Sequence, residues 1–195
     1  MTAIIAIKDG KRIMIGADGY TSNDTYGWPI ANKELYKIQR VNGSPNCLIA
    51  CAGDCDRNFA IKNIPNLLDS KDDVNFNFIV NKVLPKIYKT LKDLNYIKTG
   101  DKYNQISSSV IIATKSHLFK ISGYGIVIEA DTVTMCGSGE DMLYCKYQQI
   151  NDDKISAEAK IVECLKHAIK YGQSIGYPIT ILENSINSDI KIWRE

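Results

Sequence analysis

Residues 1–18 read Met1-Thr2-Ala3-Ile4-Ile5-Ala6-Ile7-Lys8-Asp9-Gly10-Lys11-Arg12-Ile13-Met14-Ile15-Gly16-Ala17-Asp18. Two apolar runs, 3–7 and 13–17, flank Asp9-Gly10. Asp-Gly between β-branched runs is a strong hairpin signal, because the turn needs positive φ angles that these two residues tolerate. Both runs are nearly continuous in Ile, Met and Ala, the pattern of strands buried on both faces. The N-terminus, normally a frayed end, is therefore expected to begin a central strand that holds residue 2 in place. Residue 2 is a threonine. Met before a small residue is readily removed, and a threonine left first in the chain carries a hydroxyl nucleophile and an α-amino base of pKa about 7.7–8. In simple hairpin register Asp18 lies beside it. Met-Thr by itself is only how a chain starts, so the chemistry depends on what the remaining residues add.

The chain has 195 residues, enough for one domain (1–195) with a substantial core. Its 24 basic and 22 acidic residues nearly cancel, which gives no electrostatic reason to expect nucleic acid or a membrane surface as partner. No apolar run approaches the length of a membrane span. The first apolar run is short and is broken by Lys8-Asp9, unlike a signal peptide. Six cysteines without an export signal read as reduced thiols in the cytoplasm. Cys47, Cys51 and Cys55 are spaced four apart, but no His lies near them and the first two fall in an apolar strand. They read as small core residues, and no metal or cofactor is expected.

After Asp18 the residues through Pro29 read as a polar, turn-rich loop. Strands are expected at 35–41 and 47–52, separated by a turn at 42–45. Ala52-Gly53-Asp54 ends the second strand, and Asp54 or Asp56 can cap a helix whose apolar face is Phe59, Ile61, Ile64, Leu67 and Leu68. A second helix runs through Phe76, Phe78, Ile79, Val80, Val83, Leu84, Ile87, Tyr88, Leu91 and Leu94, with Pro85 able to bend it. Its apolar residues wrap beyond one stripe, as on a helix covered on a second side by a neighbouring subunit. From residue 107 the period switches to strands at 108–114, 118–122, 126–130 and 133–136. Gly137-Ser138-Gly139 opens a helix through Tyr147. Ser156 starts another, and strands at 178–183 and 189–193, joined by a turn at Asn184-Ser185, close the chain. Strands and helices are segregated and do not alternate, so a doubly wound parallel sheet is not expected. The order fits two stacked antiparallel sheets with a helix pair outside each.

Several of these segments together resemble the proteasome β-subunit family of N-terminal-nucleophile hydrolases, including the HslV-type protease. The matching features are Thr2 at a strand start, Gly16-Ala17-Asp18, Lys37-Ile38-x-x-Val41, Ile49-Ala50-Cys51-Ala52-Gly53, Ser109 to Ala113, and Met135-Cys136-Gly137-Ser138-Gly139. The resemblance implies an α+β fold, a four-layer αββα sandwich, and a threonine peptidase assembled into homo-oligomeric rings. An ATPase unfoldase is a possible partner, and peptides or unfolded proteins are the substrates. By position, Thr2 is similar to the family nucleophile and Asp18 to the carboxylate beside it. Lys37 is similar to the lysine whose charge keeps the amine neutral, in competition with Lys33. Gly53 is similar to the oxyanion donor, and Ser138 to the serine near the terminal amine. Gly53 and Ser138 also have plain alternatives as a strand stop and a helix cap. His117 and His167 are a turn residue and a helix residue without assigned chemistry.

One segment departs from the pattern. Gly172-Gln173-Ser174-Ile175-Gly176 aligns with a family segment carrying an Asp and a Ser before the last Gly, and here those positions are Gly172 and Ile175. Ser174 is a candidate substitute for the serine, but the Asp has no counterpart. The short stretch before Thr2 fits the HslV-type arrangement. Retained Met1 would acylate the Thr2 nitrogen and remove the base. Two other functions stay open at this point: a noncatalytic ring subunit, and an N-terminal-nucleophile amidase acting on a small amide.

Overall fold

The hairpin read at Asp9-Gly10 forms with its turn one residue further on: Asp9 ends the first strand opposite Arg12, Gly10 and Lys11 make the turn, and of Asp9 and Gly10 only Gly10 takes a positive φ, +61. In the computed structural model, which describes residues 1–20, 22–23, 28–29, 37–68, 74–97, 105–152 and 154–194, β1 (Ile4–Asp9) and β2 (Arg12–Ala17) pair antiparallel from Asp9↔Arg12 to Ile4↔Ala17. Both are central strands. The residues preceding β1 are therefore led straight into the middle of a sheet.

Two short strands follow, β3 (Ser22–Asn23) and β4 (Trp28–Pro29), which pair within the stretch read as loop. Next come β5 (Ile38–Val41), β6 (Ser44–Gly53) and helix α1 (Cys55–Lys62). A segmented helix is built from α2 (Phe76–Phe78), a π segment (Ile79–Val83) and α3 (Leu84–Asp93). Strands β7 (Ser108–Ala113), β8 (Leu118–Ile121), β9 (Val127–Ala130) and β10 (Val133–Cys136) precede helices α4 (Glu140–Ile150) and α5 (Ala157–Tyr171). The chain ends on β11 (Ile179–Glu183) and β12 (Lys191–Trp193). One five-stranded sheet has the order β10-β1-β2-β11-β12 and the other β5-β6-β7-β8-β9. All pairings are antiparallel.

Strand alternation distributes the apolar residues into three layers. Leu48, Ala50 and Ala52 of β6 meet Ile4, Ala6, Ile13 and Ile15 between the two sheets. Cys47, Ile49 and Cys51 face the other way, against Ile61, Ile79, Val83, Ile87 and Leu91 of the first helix pair. Ala3, Ile5 and Ile7 turn away from the inter-sheet layer, against Leu143, Ile161 and Leu165 of the second pair. The architecture is the αββα sandwich expected from the segregation of strands and helices.

Several boundaries differ from the sequence reading. Helix α1 stops at Lys62, and Ile64, Leu67 and Leu68 are buried from a turn. Pro65 accounts for this: it lacks an amide hydrogen and disfavours helical geometry at the residue before it. Pro85 sits in the first turn of α3. The helix opens by one residue just ahead of it, with Leu84 N–H bonding back to Ile79 O, a π segment of the kind that relieves a local misfit. In this helix Ile79, Val83, Ile87 and Leu91 are fully buried, and Phe78, Leu84 and Tyr88 pack partly on the same core. Much of the broad apolar face is thus spent inside the domain, leaving Phe76 and Leu94 exposed. Strand β5 begins at Ile38, and residues 35–36 of the expected strand lie outside the described residues. Helix α4 extends past Tyr147 to Ile150. Among the described residues no helix is long and apolar enough to cross a membrane.

Candidate active site

Thr2 lies just before β1, against the turn that follows β10. Its N–H donates to Ser138 Oγ at 3.2 Å, and its carbonyl accepts from Gly139 N–H at 3.1 Å. The Gly-Ser-Gly turn thus grips the main chain of residue 2 on both sides. Ser138 is not the cap of α4: the cap position is Gly139, with no side-chain cap bond. Gly137 has φ +99, and a Cβ there would stand 2.2 Å from Thr2 O, so only glycine lets the turn come this close.

Asp18 follows β2. The register Ile4↔Ala17 sets it opposite Ala3, one place from Thr2, and Asp18 N–H donates to Ala3 O at 3.1 Å. Its carboxylate is buried and fully occupied. Oδ1 accepts from Ala3 N–H at 2.8 Å and from Lys37 Nζ at 2.6 Å; Oδ2 accepts from Tyr20 N–H at 3.2 Å and from Gly176 N–H at 3.4 Å. A buried charge is tolerated when it is paired and hydrogen-bonded in this way. The Lys37 side chain is only 10% exposed. Burial pulls its ammonium below the usual lysine value, and the Asp18 carboxylate opposes that pull. Lys33, the other lysine considered, lies outside the described residues.

Gly53 ends β6 with φ +136. A Cβ there would meet Ser107 O at 2.7 Å and Ser108 Cα at 3.0 Å. On the same strand Cys51 N–H donates to Lys37 O at 3.2 Å. Two residues on, Gly53 N–H points to that same edge by strand alternation. Asn58, one turn into α1, donates from Nδ2 to Gly53 O at 3.2 Å.

Thr2, Asp18 and Ser138 thus come from one sheet and its connections, and Lys37 and Gly53 from the other. The Lys37–Asp18 pair joins them across the inter-sheet layer. Sequence reading missed the backbone donors: Gly139 N–H on Thr2, and Gly176 N–H and Tyr20 N–H on Asp18. No residue type signals a main-chain donor. Where the sequence departs from the family pattern, Ile175 is buried in one cluster with Ala3 and Leu143, so the wall on that side is apolar. Cys47 and Cys51 are buried in β6, burial pushing their thiols up to about 11 and about 12, while Cys55 is exposed at the start of α1. Among the described residues no three His, Cys, Asp or Glu side chains gather as a metal site. His117 pairs with Glu129 at 2.6 Å and stacks on Phe119, and His167 packs on Tyr171.

No protein-family model matches the chain, and no curated protein does. Solved structures do. BPH of Thiobacillus denitrificans, in complex with epoxomicin, superposes with a TM-score of 0.76 at 20% identity, over 96% of this chain and 100% of that one. HslV from Trypanosoma brucei gives 0.66 at 16% identity, over 93% and 98%. The Anbu (Gly-1) mutant from Hyphomicrobium sp. strain MC1 gives 0.72 at 13% identity, over 99% and 87%. The chain has the fold of the HslV and proteasome-type N-terminal-nucleophile hydrolases. At these identities the likeness is one of fold, and it agrees with the resemblance carried by the sequence segments.

Proposed function

We propose that the chain is a threonine peptidase whose nucleophile is Thr2 once Met1 has been removed. The observation that carries this reading is the position of the Thr2 nitrogen. It lies 3.2 Å from Ser138 Oγ, on the residue next to Ala3, whose own N–H is held by the buried Asp18–Lys37 pair. In the reaction Thr2 Oγ1 attacks a peptide carbonyl carbon and its proton passes to the free α-amine. The oxyanion is received by Gly53 N–H. The intermediate collapses to an ester, and the amine's proton leaves with the departing amino fragment. Water then attacks the ester, its proton again taken by the amine, and releases the acid. Lys37 keeps the amine in its neutral, proton-accepting form by placing a positive charge beside it.

The proposed substrate is peptide or unfolded protein in the cytoplasm, cleaved within a homo-oligomeric ring, with an ATPase unfoldase as a feeding partner. Exposed apolar side chains support assembly: Tyr124, Ile126 and Ile128 around β9, and Phe76 and Leu94 at the ends of the segmented helix. The test uses purified protein whose intact mass shows loss of Met1. It should hydrolyse unstructured peptides and gain the mass of epoxomicin, and Thr2→Ala should do neither. Full activity in Thr2→Ala would remove Thr2 from the role. Uniform retention of Met1 in active-fold assemblies would favour the noncatalytic ring subunit.

A further inference from the structure

The two halves of the site sit on different sheets, so something must set the distance between them. Lys37–Asp18 is one tie. A second ion pair, which no sequence pattern singled out, spans the same layer: Lys120 Nζ to Glu140 Oε1 at 2.6 Å. Lys120 lies on β8 in a cross-strand row that runs Ile38, Ala50, Ile111, Lys120. Ile38, Ala50 and Ile111 all face the inter-sheet layer, so Lys120 enters the layer from the sheet that carries Lys37 and Gly53. Its side chain is 16% exposed and that of Glu140 44%, so the pair sits at the rim of the layer. Glu140 is the residue after Gly139, and its N–H closes the turn on Gly137 O at 3.1 Å. Cys136, at the end of β10, immediately precedes the Gly137-Ser138-Gly139 turn, and Glu140 immediately follows it. The pair therefore stands close behind the turn that grips Thr2.

Building on the peptidase reading, we infer that Lys120 and Glu140 are positioning residues: their ion pair fixes the Gly137-Ser138-Gly139 turn, and through Ser138 the amine of Thr2, against the sheet that supplies Lys37 and Gly53. Glu140 is bonded at its main chain to the turn and at its side chain to the opposite sheet. Releasing the side chain frees the turn to shift relative to Gly53. Displacements of about 1 Å in a reacting group lower rates by about 100-fold, and a partial release is expected to give about 10-fold.

The experiment is a set of variants in Met1-free protein. Glu140→Gln and Lys120→Met should each lower kcat by about 10-fold with KM unchanged, and Lys120→Arg should keep the wild-type rate. In a Ser138→Ala background Glu140→Gln should add less than about 2-fold, because the effect runs through Ser138. A readout independent of hydrolysis is the titration of the Thr2 amine followed by nitrogen NMR. Removing both charges in Lys120→Met/Glu140→Gln leaves the net charge unchanged. It should lower the amine pKa, because Ser138 Oγ then no longer accepts from the protonated amine. An unchanged kcat and amine titration in folded Glu140→Gln overturns the inference, and so does an effect that persists in full over Ser138→Ala. If Thr2→Ala stays active, the peptidase reading fails instead, and the amine titration still decides whether the pair positions residue 2.

Discussion

Gly137→Ala places one methyl group directly against the main chain of Thr2, where the structure has no room for it. The new Cβ would lie 2.2 Å from Thr2 O, 2.8 Å from Thr2 C and 3.2 Å from Thr2 Cβ. A relaxed carbon–oxygen contact is about 3.3 Å, so the main chain of residue 2 must move by about 1 Å or the turn must open by as much. Either motion weakens the Gly139 N–H to Thr2 O bond and the Thr2 N–H to Ser138 Oγ bond together. The backbone adds its own penalty: φ +99 is a region where a side chain costs about 1–3 kcal/mol. The expected outcome is a fold destabilised by about 1–3 kcal/mol in urea unfolding and a kcat lowered by about 100-fold. Gly123→Ala is the control, since the nearest heavy atom to a Cβ there is 3.8 Å away and its φ carries no strain. A folded Gly137→Ala protein with the wild-type rate would show that the turn does not hold the proposed nucleophile, and the argument from Ser138 would fall with it.

Lys37 makes a prediction in pH. Its buried ammonium titrates below the ordinary 10.5, so kcat/KM should fall on the alkaline side before that value, and Lys37→Arg, which stays charged, should push that limb upward if its guanidinium reaches Asp18. In the unfolded chain the lysine keeps its proton up to 10.5, so between the folded value and 10.5 the unfolded state binds more protons and stability should rise with pH; a fall in the same window would contradict the burial argument. Lys37→Met leaves the Asp18 carboxylate buried with its backbone donors alone. It should cost about 3 kcal/mol, the lower end for breaking a buried pair, because those donors remain. Asn184→Leu tests the opposite end of the sandwich. Asn184 accepts from Ile13 N–H at 3.0 Å and donates to Thr114 O at 2.8 Å, so the variant strands two buried main-chain groups and should lose about 2–4 kcal/mol in thermal or urea unfolding with the site chemistry unchanged.

The hairpin was legible because Asp9-Gly10 marks a turn and two β-branched runs mark the burial, although the turn itself falls at Gly10-Lys11 because Asp9 is taken up by pairing with Arg12. That alone placed Thr2 just ahead of a central strand. The layer order was legible because strands and helices are segregated along the chain. The end of α1 was not, although Pro65 was there to be read: Ile64, Leu67 and Leu68 keep a helical spacing whether they lie on a helix or in a buried turn. Asn184 read as a turn residue, and it is one, but its side chain also ties β2 to the end of β7. That role depends on which carbonyls the fold brings within reach, and single-residue preferences carry no trace of it. The same holds for Lys120 and Glu140, which are 20 positions apart and on different layers. Neither shows any local pattern.

The polar ties between the sheets explain why the site can be built from both of them. An apolar inter-sheet layer of Ile, Leu and Ala is cohesive but not directional, so by itself it permits small sliding of one sheet over the other. Hydrogen-bonded groups are directional and buried ones are costly to leave unpaired, so they fix register. At the end away from the site, Asn184 joins the two sheets, and Arg40 holds the main chain of Glu183, Ser185 and Ser188. At the site end, Lys37 holds Asp18 and Lys120 holds Glu140. Asp18 in turn reaches the main chain at the residue next to Thr2. It binds the neighbouring Ala3 N–H, the Lys37 ammonium and two loop N–H groups, so its carboxylate is the point where β1, β2, β5 and the 172–176 loop are fixed against one another. The nucleophile proposed at Thr2 would have to sit within a fraction of an ångström of its base and of the proposed oxyanion donor, and such a frame suits that demand. Here the frame is made of ordinary ion pairs placed at the ends of a sandwich.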